Sequence, residues 1–378
     1  MGEGDAPDAI EFSSRLLQLI DSGRLTATYK LATLTAVIDL CAETSASETL
    51  SAREVGRRVL ELYWPQTSPF SGDERGDLVL RQSKMSSDIP EKLARFRRDH
   101  RLPRRARPED AAAAEPDAWQ RLEADVVATV VREPIPRLQR FGAGPPSAGD
   151  RFIYEIDWDE NVSKAKVGRP DFDDTMRFLP GVADLLGRLG PILRPVLQAR
   201  WTTEVAKRNA DAVDEMQLSD FLFGAERISL HRVRGPLAEL QDHRCFYCRD
   251  RLTGHPDVDH FIPWSRHPDN SLDNLVAAHP RCNGAKRDSL AGTDHLTAWL
   301  HRFRDGSADA RALDDLRSAI DWPRRPDRTL GAARAAYLPL PTGTRLWQAP
   351  DRFEMLDRTA VHDLLVGSVT HRRPFGTG

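Results

Sequence analysis

Cys245 and Cys248 are separated by two residues, and His279 and Cys282 repeat that spacing 31 residues further on. Two tight pairs of soft or borderline ligands make a closed tetrahedral site, here Cys3His, suited to a structural Zn2+. Between the pairs lie Val258-Asp259-His260-Phe261-Ile262-Pro263 and then Asn274-Leu275, and Asn283 and Lys286 follow the last ligand. A zinc knuckle by itself needs none of these groups. Phosphodiester hydrolysis uses all of them. A neutral imidazole takes a proton from water near pH 7. Asp carboxylates and Asn carbonyls hold a hard divalent cation, which offsets charge on the phosphate and the leaving oxygen. A further cation near the phosphate oxygens adds stabilisation.

The ordered series Cys245-x2-Cys248, Asp259-His260-Phe-Ile-Pro263, Asn274-Leu275-x3-His279-x2-Cys282-Asn283-x2-Lys286 resembles the HNH endonuclease family, whose module is the ββα-metal fold. It also looks like the HNH module of RNA-guided CRISPR effectors, although this chain is far shorter than those multi-lobed proteins. The resemblance covers about 45 residues of 378. It implies that His260 is the general base, that Asp259 and Asn283 hold one Mg2+ or Mn2+, and that Asn274 fixes the loop orienting His260. It places Lys286 near a phosphate and gives products with 5′-phosphate and 3′-hydroxyl ends. The family's pattern has Cys where His279 stands, a departure that touches the zinc and leaves the catalytic set alone. The implied substrate is DNA, double-stranded, in a bacterial restriction or anti-phage setting with partner proteins. Two rivals stand beside this reading: an inactive zinc-knuckle protein that binds nucleic acid, and a nuclease for RNA or modified DNA.

The elements around this series read as a predominantly helical α+β protein of several domains. Leu31, Leu34, Ile38 and Cys41 form one helical stripe, which makes Cys41 a core residue. Ser51-Ala-Arg-Glu54 has capping-box spacing at the start of a second helix, which Pro65 ends. Phe152, Tyr154 and Ile156 alternate as a strand, and residues 185–209 read as a helix interrupted or kinked at Pro191 and Pro195. Proline and glycine clusters divide the chain into an N-terminal helical domain (1–105), a linker (106–150), a middle strand and helical segment (151–227), the nuclease module (228–305) and a C-terminal helical, Pro-rich segment (306–378).

Composition bounds the function further. The net charge is −3, so nucleic-acid contact must come from a local basic surface. The most basic stretch runs from Lys92 to Arg107, and Arg97, Arg98, Arg104 and Arg105 within it are candidate phosphate contacts, with Lys286 a further one. Four cysteines in 378 residues do not make a disulfide framework. No apolar run reaches the ~18 residues of a membrane span, and the acidic N-terminus has no secretory pattern. The expected location is the cytoplasm, with no membrane partner.

Overall fold

The computed structural model describes residues 8–21, 27–44, 47–70, 79–83, 89–103, 106–141, 151–209, 215–223, 230–267, 269–304 and 306–367. The chain forms two compact units, residues 1–224 and 225–378. Among the described residues no helix is long and apolar enough to cross a membrane.

Unit 1 consists of helices α1 (Ala9–Asp21), α2 (Tyr29–Glu43), α3 (Ala52–Tyr63), α4 (Ile89–Asp99), α5 (Pro108–Ala114), α6 (Pro116–Arg132), α7 (Pro134–Arg137), α8 (Lys164–Val167), α9 (Val182–Arg208) and α10 (Glu215–Leu222). Strands β1 (Thr49–Ser51), β2 (Tyr154–Glu155) and β3 (Thr175–Phe178) form an antiparallel sheet in the order β1-β3-β2. Every residue from Leu31 to Cys41 in α2 is buried. The helix can bury Asp39 because Arg194 and Arg58 meet its carboxylate. Ser51 caps α3 as its spacing predicts, its Oγ accepting from the Glu54 amide at 3.3 Å. At Gly56 a side chain would bring a Cβ within 2.9 Å of the Val127 backbone, so glycine sets how closely α3 and α6 approach. Helix α9 continues through both prolines.

The segment expected to be a linker is structured over residues 106–141. Pro108, which reads as part of a boundary, and Pro116 occupy first-turn positions of α5 and α6, where the missing N–H costs nothing. Val126, Val127, Val130 and Val131 then join the same core as residues from 1–105 and 151–227. The Gly/Pro stretch from 142 to 149 lies outside the described residues.

Unit 2 consists of α11 (His231–Leu240), β4 (Asp257–His260), β5 (Leu275–Ala278), α12 (Pro280–Lys286), α13 (Thr293–Leu300), α14 (Ala308–Ile320), α15 (Pro326–Tyr337), the hairpin β6 (Arg345–Ala349) and β7 (Arg352–Met355), and α16 (Arg358–His362). Strands β4 and β5 pair antiparallel, with Asp259 opposite Val276 and His260 opposite Leu275. Strand β5 is buried along its whole length, which accounts for the unbroken apolar run Leu-Val-Ala-Ala. Leu275 and Ala277 pack with Val233, Leu237, Leu313 and Trp322. Val276 and Ala278 pack with Cys245, Phe246 and Cys282. The two-stranded sheet is thus covered on both faces, and its partly polar strand β4 carries the candidate groups. Trp299 is core, stacked on Phe261 with ring centroids 4.5 Å apart.

Candidate functional site

The knuckle brings both ligand pairs together. One ligand atom from each of Cys245, Cys248, His279 and Cys282 lies within 4.8 Å of the other three. Sulfur atoms on a tetrahedral zinc are separated by about 3.8 Å, given Zn–S bonds near 2.3 Å. His279 Nδ1 lies 3.3 Å from Cys248 Sγ, and its other nitrogen, Nε2, is 3.1 Å from the Arg251 carbonyl oxygen. A ring held at one nitrogen presents the other in a fixed direction, as ligating histidines require. Burial and the neighbouring sulfurs push the Cys282 thiol up to about 12, and burial raises Cys248 as well. Thiolates crowded this closely need a cation between them. Spacing, donor set and electrostatics all fit a structural Zn2+, which would be held by these four residues.

Helix α12 starts directly after His279 and lays one face against β4. Asp257 and Asp259 alternate onto that face of the strand. Asn283 and Lys286, three apart on the helix, meet them. Asn283 Nδ2 donates to Asp257 Oδ2 at 3.1 Å. Lys286 Nζ lies 3.0 Å from Asp259 Oδ2 and donates to the His260 carbonyl at 2.9 Å. The Tyr247 hydroxyl donates to the same Asp259 oxygen at 2.5 Å. Lys286 is 0% exposed and Asp259 8%. Burial lowers the Lys286 pKa, with Asp259 opposing that shift. The Tyr247 hydroxyl is raised by burial and by the Asp259 carboxylate, so it stays a donor.

His260, one residue on, turns to a different set of partners. Its Nε2 lies 2.8 Å from Asn270 Oδ1, and the Trp264 ring meets the imidazole edge-on at 5.0 Å. The ring is half-buried. Burial lowers its pKa below 6.5, with Lys286 adding to the shift and Asn270 and Asp259 opposing it. The imidazole is therefore neutral at pH 7, the form a proton acceptor needs. Asn274 is fully buried. Its Oδ1 accepts from the Ile262 amide at 2.8 Å and its Nδ2 donates to the Ile262 carbonyl at 3.1 Å. That pair of bonds ties the start of β5 to the turn after His260.

The sequence-derived set is thus divided. The four knuckle residues come together, and Asp259 joins Lys286 and Tyr247. Asn283 is bonded to Asp257, not to Asp259. Lys286 does not face solvent: its ammonium is held inside the module on a carboxylate and a carbonyl. Asp257, Tyr247 and Asn270 also belong to the site, outside the set that the motif spacing marks. The period of two along β4 places Asp257 beside Asp259, so that residue had a readable signal. Tyr247 and Asn270 had none, because their partners are 12 and 10 residues away.

The candidate phosphate contacts divide as well. Arg98 is exposed. Arg97 is buried, its guanidinium 4.6 Å from the Trp64 ring centre and donating to the Pro103 and Ala106 carbonyls at 3.3 Å each. A guanidinium so placed belongs to the core of unit 1 and not to a phosphate-binding surface. Arg104 and Arg105 lie outside the described residues.

No curated protein and no solved structure matches the chain. Residues 245–291 match a family model described as HNH endonuclease. That span starts at the first knuckle cysteine and contains β4, β5 and α12 in order, the ββα arrangement just described. In its ordered residues, its topology and this match, the segment from Cys245 to Ala291 is similar to the module of HNH endonucleases, and the flanks on either side lie outside the match.

Proposed function

We propose that this protein hydrolyses phosphodiester bonds in double-stranded DNA, with His260 as the general base. The observation that carries the reading is a half-buried imidazole at the end of β4, held at Nε2, inside a segment that matches the HNH endonuclease family. Nδ1 is then the nitrogen that takes a proton from water. Asp259 and Asn283 are the proposed ligands of one Mg2+ or Mn2+, and Asp257 extends the same donor set. Asp257, Asp259 and Asn283 offer hard oxygen atoms, and two carboxylates against the single Lys286 ammonium leave a net negative charge for a divalent cation to offset. When bound, that cation supplies charge stabilisation at the phosphate and the leaving oxygen. Lys286 acts by fixing Asp259, and Asn274 by fixing the turn that follows His260.

Unit 1 supports a targeting or restraining role. It has its own core, and it is larger than a single reader module needs. That division of labour suits restriction or anti-phage defence. Nicking of supercoiled plasmid with Mg2+ tests the central reading. Wild type should convert plasmid to open-circle and linear forms, and His260→Ala should leave it supercoiled. If neither protein cleaves DNA under several divalent ions, while both bind it, the inactive-knuckle reading wins. Cleavage confined to RNA or modified DNA in the same panel would redirect the substrate.

A further inference from the structure

Asn270 lies in a loop of which five consecutive residues are held by one other stretch of the chain. Asp269 Oδ1 accepts from Arg325 Nη1 at 3.2 Å. The Asn270 carbonyl accepts from Trp322 Nε1 at 2.7 Å. Ser271 Oγ lies 3.2 Å from Thr329 Oγ1 and donates to Asp269 Oδ2 at 2.5 Å. The Leu272 amide donates to the Pro323 carbonyl at 2.9 Å. Asp273 accepts from the Arg324 guanidinium at 2.8 Å and from the Arg325 amide at 2.7 Å. Asp269, Ser271, Leu272, Asp273 and Thr329 are buried, so these bonds form away from water and define one loop conformation. In the middle of the clamped loop a single side chain, Asn270, reaches the imidazole of His260.

An amide oxygen can only accept a hydrogen bond. Facing Asn270 Oδ1, His260 Nε2 must carry the ring proton, and the lone pair then falls on Nδ1. Without that partner a neutral imidazole divides between two tautomers and two ring orientations, and part of the population presents N–H where a base is required. We infer that Asn270 is a positioning residue that sets the tautomer and orientation of His260, and that residues 322–329, beyond the segment matched to the HNH family, hold Asn270 in register. This rests on His260 being the general base. It adds that the working nuclease site is built from two stretches of unit 2, one inside the family match and one outside it.

The test uses the full chain with 15N-labelled histidine, supercoiled plasmid and Mg2+. In the wild type the His260 ring nitrogens, assigned by their loss in His260→Ala, should show one form with the proton on Nε2. Asn270→Ala should show a mixture of the two forms and lower kcat for nicking by about a hundredfold with KM unchanged. Asn270→Asp, whose carboxylate accepts the same N–H, should keep the single form and return kcat to within about tenfold of wild type. Trp322→Phe keeps an aromatic side chain but removes the indole N–H that bonds the Asn270 carbonyl, and should lower kcat about fivefold. The inference is overturned if Asn270→Ala leaves His260 in one Nε2–H form. It is also overturned if Asn270→Ala nicks at the wild-type rate while His260→Ala is inactive. Should Asn270→Ala not fold, a mixed ring spectrum in Asn270→Asp would overturn it equally. If His260→Ala itself nicks at the wild-type rate, the general-base reading fails, and the ring spectra still decide whether Asn270 holds the imidazole.

Discussion

Lys286→Met separates two views of the motif's last residue. A lysine facing a phosphate would be replaced with no loss of stability. DNA affinity would fall, and the slope of log K against log salt would drop by about 1. The geometry predicts the opposite. Lys286 is fully buried, with its ammonium 3.0 Å from the Asp259 carboxylate and bonded to the His260 carbonyl. Removing one partner of a buried ion pair costs about 3–5 kcal/mol, because the other charge is left without compensation. Asp259 keeps the Tyr247 hydroxyl and its side chain is 10% exposed, which points to the lower end, about 3 kcal/mol. For a unit of this size each kcal/mol moves Tm by about 2–4 °C, so the expected fall is about 6–12 °C. Calorimetry on wild type, Lys286→Met, Asp259→Asn and the double variant checks it. The double variant should recover much of the loss, since the two costs arise from one interaction. A fall in Tm of less than about 2 °C in Lys286→Met, or strict additivity in the cycle, would refute the buried-pair argument.

Three other outcomes follow from the geometry. Cys245→Ser should release about one zinc per chain by atomic absorption and lower Tm, since a structural zinc contributes folding free energy; unchanged metal content and Tm would dismiss the knuckle. Arg97→Ala should destabilise unit 1 by about 2 kcal/mol through lost stacking and two lost carbonyl bonds, whereas Arg98→Glu should leave Tm alone and weaken plasmid binding, and calorimetry with a filter-binding titration separates them. For pH, the folded-state pKa of His260 lies below its unfolded value of about 6.5. The neutral base therefore persists as pH falls through 6.5, and is lost only on passing the lower folded pKa. Plasmid nicking should hold its plateau below pH 6.5, and an acidic limb centred at or above that pH counts against the burial argument. In the same window the unfolded chain binds more protons than the folded one, so stability should decline as the solution is acidified below 6.5.

How much the sequence disclosed depended on the range of the interaction. The knuckle was legible because its ligands come in pairs three residues apart and zinc chemistry restricts them to Cys and His. The α2 stripe and the Ser51 cap were legible because they are set within one or two turns. Pro108 misled, since the same ring that ends a helix also starts one, and only the valines of the following α6 show that the segment packs into the core. Arg97 and Lys286 misled for a related reason. Charged residues on short helices read as solvent-facing, yet Trp64 and Asp259, far away in sequence, supply each with a buried partner. Asn270 and the 322–329 clamp were beyond reach, because bonds spanning 51–58 residues leave no periodic trace.

The position of Cys282 next to Asn283 has a mechanical consequence. Helix α12 spans only seven residues, too few to hold its own rotation about its axis. Anchoring Cys282 and the preceding His279 to one ion fixes that rotation at the helix's first turn. Without the anchor, a slip of one residue would turn the helix by about 100° and carry Asn283 and Lys286 away from the strand they face. On the proposed function, a chelator strong enough to extract zinc would then act as an off-switch for cutting even in excess magnesium, by freeing the helix's rotation and not by removing the catalytic ion.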